Sequence, residues 1–231
     1  MVDMRREFFR GLREILPVLV AAFPIGLLWG ALAVKKGFSV GEATLASALV
    51  FAGSLQFVAL DLWTNPAPWL LLGATAFIVN LRHVLMGASM SRHVESFPAA
   101  SLPFVYFLLV DEAWAFAERR AVREKLNLPY YLGLTAPMLA NWIVATLIGA
   151  TVGLATGDPS IYGLDLAFAS LFIAILAGFW KGPPTAVVLG SSAVAAVAVK
   201  HFLPGAWYIA AGGVAGVFAA VAMGDGVDRA S

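Results

Sequence analysis

The chain has 231 residues, of which 61% are hydrophobic and 13% charged, a formal net charge of +1 and a mean hydropathy of +0.85. Soluble domains carry about 25% charged residues, so this composition predicts an integral membrane protein. The near-zero charge argues against nucleic-acid binding, and the absence of Cys excludes disulfides and thiolate ligands. Three scattered histidines without ligand spacing predict neither a metal site nor a metal cofactor.

The N-terminal stretch 1–14 places arginines on one predicted helical face and apolar side chains on the other. This pattern predicts a short interfacial helix. A basic start before an apolar run also resembles a secretory signal, but residues 15–34 form a 20-residue run, which is longer than a signal's apolar core. We therefore expect 15–34 to be the first transmembrane helix. Its Gly26-x-x-x-Gly30 spacing favours close contact with another helix.

Eight apolar segments are predicted along the chain. By number they cover 15–34, 43–60, 69–90, 102–120, 130–153, 164–180, 184–199 and 203–223. The sixth and seventh are short, so they either span the membrane or re-enter it. The predicted fold class is all-α: a polytopic integral membrane helix bundle of about seven to eight segments, forming a single transmembrane domain over 1–231.

The third segment, 69–90, carries Asn80, Arg82 and His83 near its middle. A charged Arg near the bilayer centre costs about 2.5–3.5 kcal/mol, so Arg82 should face protein or water and have a partner. The third and fourth segments are expected to run antiparallel, which brings Arg82 to the depth of Asp111 and Glu112. Either carboxylate can neutralise the guanidinium, and adjacent helix residues point about 100° apart, so at most one faces it directly.

Further polar residues lie within other apolar segments. Gly53-Ser54 is a weak point at which the second segment could kink or break, and Gln56 follows it. Asn141 occupies the middle of the fifth segment. Gln56 either lines a binding site or makes ordinary hydrogen bonds between helices, and the sequence favours neither interpretation. An ion pair that only fixes helix packing is the alternative to a functional cluster at Arg82.

Charge bias predicts the orientation. A cytoplasmic N-terminus places the arginines of 5–13 inside, and if the second to fourth segments all span, the basic cluster 118–125 is also inside. Arg92 would then lie outside. Ser96 and Lys125, on either side of the fourth segment, should accordingly be labelled from opposite faces of the membrane.

A weak internal sequence similarity relates positions that are 123 residues apart. Residues 24–30 align with 147–153 in their small residues, and Ala46-Ser47 aligns with Ala169-Ser170 at the same offset. This predicts two repeat halves, about 15–125 and 126–223, with the site near their interface.

Seven short motifs resemble the AzlC family of branched-chain amino acid transport proteins over nearly the full length of the chain. They are Phe9-Arg-Gly11, Pro24-x-Gly26, Gly37-x-Ser39-x-x-Glu42-Ala43, Ala52-Gly53-Ser54-x-Gln56-Phe57, Asn80-Leu-Arg-His83, Asp111-Glu112 and Leu164-Asp-Leu-Ala-Phe168. The family often has Thr before the Asp-Glu pair, where this chain has Val110. The resemblance implies export of amino acids such as valine from bacterial cells, across the inner membrane, with a small membrane partner of the AzlD type.

The ionisable mid-membrane cluster and the resemblance together predict a proton-coupled transporter for zwitterionic, apolar amino acids. The expected substrate-binding residues are Gly53, Ser54, Gln56, Asn80, Arg82 and Asn141. The expected proton-coupling or ion-pair residues are His83, Asp111 and Glu112. No catalytic motif such as Gly-x-Ser-x-Gly or a Walker loop is present, so an enzyme is not predicted. The alternatives are a non-transporting membrane scaffold and an intramembrane enzyme.

Overall fold

The computed structural model describes residues 3–155, 182–203 and 207–223, together with positions 173, 177 and 180. Within those residues the regular structure is helical, and the all-α membrane class is confirmed. The helices are α1 (Met4–Lys35), α2 (Val40–Leu49), α3 (Gly53–Leu62), α4 (Trp69–Ser91), α5 (Leu102–Phe107), α6 (Asp111–Ala121), α7 (Leu128–Ala155), α8 (Pro183–Phe202) and α9 (Trp207–Ala222), and a 3-10 turn covers Ala99–Ser101. The predicted sixth segment lies almost wholly outside the described residues.

Four of these helices are long and apolar enough to cross a membrane. They are Met4–Lys35, Trp69–Ser91, Leu128–Gly153 and Pro183–Phe202. The chain divides into two compact units, and the boundaries fall after Gln56 and before Leu81. The first unit holds α1, α2, α5, α6, α7 and the second half of α4; the second holds residues 57–80, α8 and α9.

Helix α1 is continuous from Met4 to Lys35. The Asp3 side chain caps it by accepting hydrogen bonds from the backbone N–H groups of Arg5 and Arg6, both at 3.1 Å. The helix continues through Pro17 and Pro24, so the predicted interfacial stretch and the predicted first span are consecutive turns of one helix. Proline is tolerated within membrane helices because neighbouring groups satisfy the backbone carbonyls that it leaves unbonded.

Helices α1 and α7 lie parallel and in very close contact. A Cβ added at Gly133 would lie 2.2 Å from the carbonyl oxygen of Phe8, and one added at Gly149 would lie 2.0 Å from that of Leu27. These contacts advance along both helices in the same direction. At Gly30 a Cβ would lie 2.2 Å from the Thr146 carbonyl oxygen. Close backbone packing through small residues is a usual way for membrane helices to associate.

The second predicted segment is two helices, not one. A capping box starts α2: the Glu42 carboxylate accepts from Ser39 N–H at 2.7 Å, while the Ser39 hydroxyl accepts from Glu42 N–H at 3.2 Å. Helix α2 ends at Leu49, Val50 has non-helical φ −117° and ψ 79°, and α3 begins at Gly53. The interruption therefore lies immediately before the predicted weak point.

The fourth predicted segment is also interrupted, and here the predicted topology is wrong. The Tyr106 ring of α5 lies 3.7 Å from the position of a Cβ on Gly87, so α5 runs inward beside α4. Residues 108–110 form a turn, with Val110 extended at φ −129° and ψ 159°. Helix α6 then returns, because Asp111 contacts Arg82 whereas Glu118 contacts His93.

The fourth segment thus enters and leaves at the same end of the first unit. A cavity of about 250 Å³ at that end is lined by both Ser96 and Lys125, together with Arg92. The expectation that the first two lie on opposite sides is therefore wrong. The physical reason is length: α5 has 6 residues and α6 has 11, about 9 and 16 Å, too short for either to cross a hydrocarbon core of about 30 Å.

In the second unit α8 and α9 pack through small residues. A Cβ on Gly212 would lie 3.1 Å from the Ser192 carbonyl oxygen, and Gly216 lies against the same serine. Helix α8 has 20 residues, so the predicted seventh segment is long enough to span. Helix α9 has 16 residues within the predicted eighth segment.

Candidate functional site

Arg82 joins the two interrupted segments. Its Nη1 lies 2.7 Å from Oδ2 of Asp111, the first residue of α6, and its Nη2 donates to Ser54 Oγ at 2.7 Å, in the first turn of α3. The Arg82 side chain is 39% exposed and that of Asp111 is 47% exposed. Both side chains are therefore only partly covered by the rest of the protein.

Both half-helices point their N-termini at this guanidinium. The first intrahelical bonds of α3 and α6 are donated by Gln56 and Trp114, so the N–H groups before them have no carbonyl partner within their helix. Helix N-termini carry a partial positive charge and unpaired donors, which suit a carboxylate. Asp111 supplies the opposite charge at the same place.

The interruption between α2 and α3 is held by a buried polar network. Gln56 Nε2 donates to the Val50 carbonyl oxygen at 2.9 Å, and Trp142 Nε1 donates to Gln56 Oε1 at 2.9 Å. A Cβ on Gly53 would lie 3.1 Å from the Trp142 ring, so the glycine lets the indole lie close against the start of α3. Gln56 is 3% exposed, which fits a residue fixed by its hydrogen bonds.

Ser47 extends this network to the long helices. Trp29 Nε1 donates to Ser47 Oγ at 2.8 Å, and the Ser47 and Thr146 hydroxyls lie 2.8 Å apart. Ser47 and Thr146 are fully buried. The network therefore ties α2 to both α1 and α7, and it fixes where α3 begins.

The other predicted site residues occupy varied positions. Asn141 Nδ2 donates to the Leu19 carbonyl oxygen at 3.2 Å, which is a contact between α7 and α1. Asn80 belongs to the second unit, and its Oδ1 is buried without a hydrogen bond from the described residues. His83 follows Arg82 on α4, so the two side chains leave the helix about 100° apart. Glu112 is exposed beside Asp111.

Trp142, Ser47 and Thr146 were not among the predicted site residues. In the fifth segment the amide of Asn141 is more polar than the neighbouring indole of Trp142, so a search for polar residues selects Asn141. Only the position of Gln56 relative to α7 identifies Trp142 as its hydrogen-bond donor.

A second polar cluster lies where α4 and α6 end. Glu118 Oε1 accepts a hydrogen bond from the Ser89 hydroxyl. Glu118 Oε2 lies 3.2 Å from His93 Nε2. Arg92 Nη2 lies 3.6 Å from the same Oε2, and Trp114 Nε1 donates to Ser89 Oγ at 3.3 Å. The cluster borders the 250 Å³ cavity, whose wall includes His93.

A third cluster fastens the first turns of α1 to the end of α6. The buried Arg120 bonds Glu7 and lies over the Tyr130 ring at 4.0 Å, and Arg10 forms a bidentate pair with Glu124 at 3.0 and 2.8 Å. The hydrogen bond from Arg10 holds the pKa of the Glu124 carboxyl below its ordinary value. These contacts place the N-terminus and the basic cluster 118–125 at the same end of the first unit.

Within the described residues, no group of three or more His, Asp or Glu side chains is close enough to hold a metal ion. The charged groups at Arg82 suit a zwitterion instead, because a cation and an anion lie side by side there.

These features define a polytopic helical membrane protein with a polar site at the meeting point of two interrupted segments. A family model described as AzlC protein matches residues 17–155, and the chain belongs to the AzlC family. The family is linked to branched-chain amino acid transport through the relative named below.

Several curated proteins are similar to the chain. A membrane protein of Archaeoglobus fulgidus is 31% identical over 192 residues, covering 81% of this chain and 83% of its own. Inner membrane protein YgaZ of Escherichia coli K12 is 27% identical over 175 residues, covering 73% and 71%. The branched-chain amino acid transport protein AzlC of Bacillus subtilis 168 is 25% identical over 189 residues, covering 78% and 72%. No solved structure matches the chain significantly.

Proposed function

We propose that this protein is not an enzyme but a transporter that exports branched-chain amino acids across the bacterial cytoplasmic membrane. We further propose that transport is proton-coupled and uses a small partner subunit of the AzlD type. The name of the Bacillus subtilis relative supports the substrate class, and the name of the Escherichia coli relative supports the inner membrane. Export and the partner follow from the family resemblance.

The observation that carries the proposal is the contact of Arg82 with both Ser54 and Asp111. An amino acid has a carboxylate and an ammonium, and each can replace one half of the Arg82–Asp111 pair. The carboxylate is bound by Arg82 and the N–H groups that begin α3, while the ammonium is bound by Asp111 or Glu112. The site keeps the same net charge with and without substrate.

The apolar part of the substrate sets the specificity. Leu, Val and Phe side chains of the surrounding helices provide an apolar environment for a branched side chain. One methylene group in such an environment is worth about 1–3 kcal/mol, so valine, leucine and isoleucine are accepted together.

The charge distribution supports a cytoplasmic N-terminus. The arginines of 5–13, Arg92 and the cluster 118–125 lie at one end of the first unit, whereas Lys35 and Lys36 end α1 at the other. Arg92 lies at the same end of the first unit as the N-terminus, whereas the sequence-based topology places it at the opposite end. The excess of basic residues at the N-terminal end is therefore larger than that topology gives.

The test is valine flux in proteoliposomes against an imposed pH gradient, with and without a co-purified small subunit. We expect gradient-driven flux in the wild type and its loss in at least one of Asp111→Asn, Glu112→Gln and His83→Gln. His201→Gln, on the exposed surface of α8, is the matched control. Flux that survives in all three variants would exclude these residues as the coupling site. Absence of any flux favours a scaffold, and covalent conversion of valine favours an enzyme.

A further inference from the structure

Helices α4 and α6 meet along a seam of polar side chains. Moving outward from the ion pair of Arg82 with Asp111, the next contact is Ser89 with Trp114 and the last is His93 with Glu118. The spacings of three, four and seven residues put Arg82 and Ser89 on one face of α4, and Asp111, Trp114 and Glu118 on one face of α6. His93 lies in the turn that follows α4. Glu118 is seven residues from Asp111, so the outer cluster lies about 10 Å along α6 from the ion pair.

Two side chains contact the same ring nitrogen of His93, one as a hydrogen-bond donor and the other as an acceptor. Arg92 Nε lies 3.2 Å from His93 Nε2 in donor geometry, and Glu118 Oε2 lies 3.2 Å from the same atom. A neutral ring with a bare Nε2 accepts from Arg92. A protonated ring donates to Glu118 instead and repels the Arg92 cation. Gain of one proton thus exchanges the partner of His93.

The cluster also reaches water without being fully exposed. The side chains of His93 and Glu118 are each 20% exposed, and Arg92 is 68% exposed. The adjoining cavity, which His93 lines, also has the charged residues Glu95 and Lys125 in its wall. Imidazole is the side chain that titrates nearest to neutral pH, which suits exchange of protons with the cytoplasm.

We propose that His93 and Glu118 form a second proton-binding site, which passes protons between the aqueous cavity and the Arg82–Asp111 site. This inference rests on the proposed proton-coupled function. A proton taken up at His93 Nε2 passes to Glu118 Oε2 across their contact, which returns the ring to neutrality. The Ser89 hydroxyl, which donates to Glu118 Oε1 and accepts from Trp114, holds this carboxylate in place. A protonated Glu118 gives its proton to water, and water carries it to the Asp111 carboxylate.

The experiment compares two activities of the same proteoliposomes. Exchange of valine for labelled valine at equal pH needs no net proton movement, whereas accumulation driven by a pH gradient does. We expect His93→Gln and Glu118→Gln to retain exchange while gradient-driven accumulation falls by about tenfold or more, as for loss of a positioned proton carrier. Glu95→Gln, a charge change on the same cavity wall, should retain both activities.

Three outcomes would overturn the inference. If both variants keep gradient-driven accumulation, the cluster carries no protons, although the Arg82 site can still be the coupling site. If exchange is lost together with accumulation in both variants, the cluster has only a structural role. If the wild type accumulates no valine under a gradient, the proposed coupling fails as well. His93→Arg separates charge from titration: a permanent cation pairs with Glu118 but releases no proton, so it should also lose accumulation.

Discussion

Arg82 and Asp111 form an ion pair, with 2.7 Å between Nη1 and Oδ2, at the first residue of a half-helix. The same guanidinium bonds Ser54 at the beginning of another half-helix. Two interrupted segments are therefore positioned through one side chain. A ligand that separates Arg82 from Asp111 would therefore change the contacts that hold α3 and α6 together.

The first prediction concerns the strength of this pair. Arg82→Ala should destabilise the protein by about 1–3 kcal/mol, less than the 3–5 kcal/mol of a fully buried pair, because both partners are partly exposed. The double variant Arg82→Ala/Asp111→Ala should be more stable than Arg82→Ala alone, since it leaves no unpaired carboxylate. Thermal unfolding in detergent measures both, with the exposed Arg123→Ala as control. A double variant no more stable than Arg82→Ala would contradict the pairing.

The second prediction concerns topology. The chain contains no Cys, so single cysteines can be placed at will. Ser96→Cys and Lys125→Cys should be labelled by an impermeant maleimide from the same side of the membrane, because both line one cavity. Lys36→Cys, at the other end of α1, should be labelled from the opposite side. Labelling of the first two from different sides would exclude the re-entrant arrangement of α5 and α6.

The sequence was sufficient to predict that Arg82 lies level with Asp111. The expected depth of Arg82 follows from two antiparallel spans, and α5 does run antiparallel to α4 as far as the turn at 108–110. Asp111 follows that turn directly, so the expected antiparallel arrangement is correct as far as this residue. It failed for α6, which reverses, and hence for the position of Lys125 relative to Ser96.

The interruptions themselves depend on tertiary contacts that a hydropathy pattern does not contain. The carbonyl oxygens that end a helix need donors, and the Tyr131 hydroxyl donates to Val105 at 2.8 Å while Gln56 donates to Val50. Gly53 hinted at the first interruption. Residues 108–110, Leu-Leu-Val, gave no local signal for the second, because the donor lies on α7.

The third prediction concerns the contact between α1 and α7. Gly149→Ala should destabilise the protein by about 1–3 kcal/mol or more, because its Cβ would lie 2.0 Å from the Leu27 carbonyl oxygen, and backbone cannot move aside cheaply. Gly73→Ala in α4 is the matched control, since a Cβ there has no neighbour within 4 Å. Thermal unfolding compares them. Equal midpoints for the two variants would show that α1 and α7 are not so closely packed.

The last prediction tests whether the buried amide of Gln56 positions the start of α3. Trp142→Phe keeps an aromatic ring at position 142 but removes the N–H that donates to Gln56 Oε1, together with the outer ring atoms that lie against Gly53. A buried acceptor that loses its donor costs about 1–3 kcal/mol. Trp69→Phe makes the same chemical change at a side chain that is 73% exposed, so it should leave the unfolding midpoint nearly unchanged. If Trp142→Phe were as stable as Trp69→Phe, the hydrogen bond from Trp142 to Gln56 would not stabilise the protein.

Gln56→Leu should cost at least as much as Trp142→Phe, because it leaves the buried Trp142 N–H without its acceptor and takes from the Val50 carbonyl oxygen one of its two donors, the other being Ala52 N–H. The double variant Gln56→Leu/Trp142→Phe should recover part of that loss, since it removes the unpaired indole donor. In the transport assay the loss should extend to valine affinity, because α3 presents Ser54 and its N–H groups to the same guanidinium. Full affinity in a folded Gln56→Leu protein would mean that α3 finds its position without this amide.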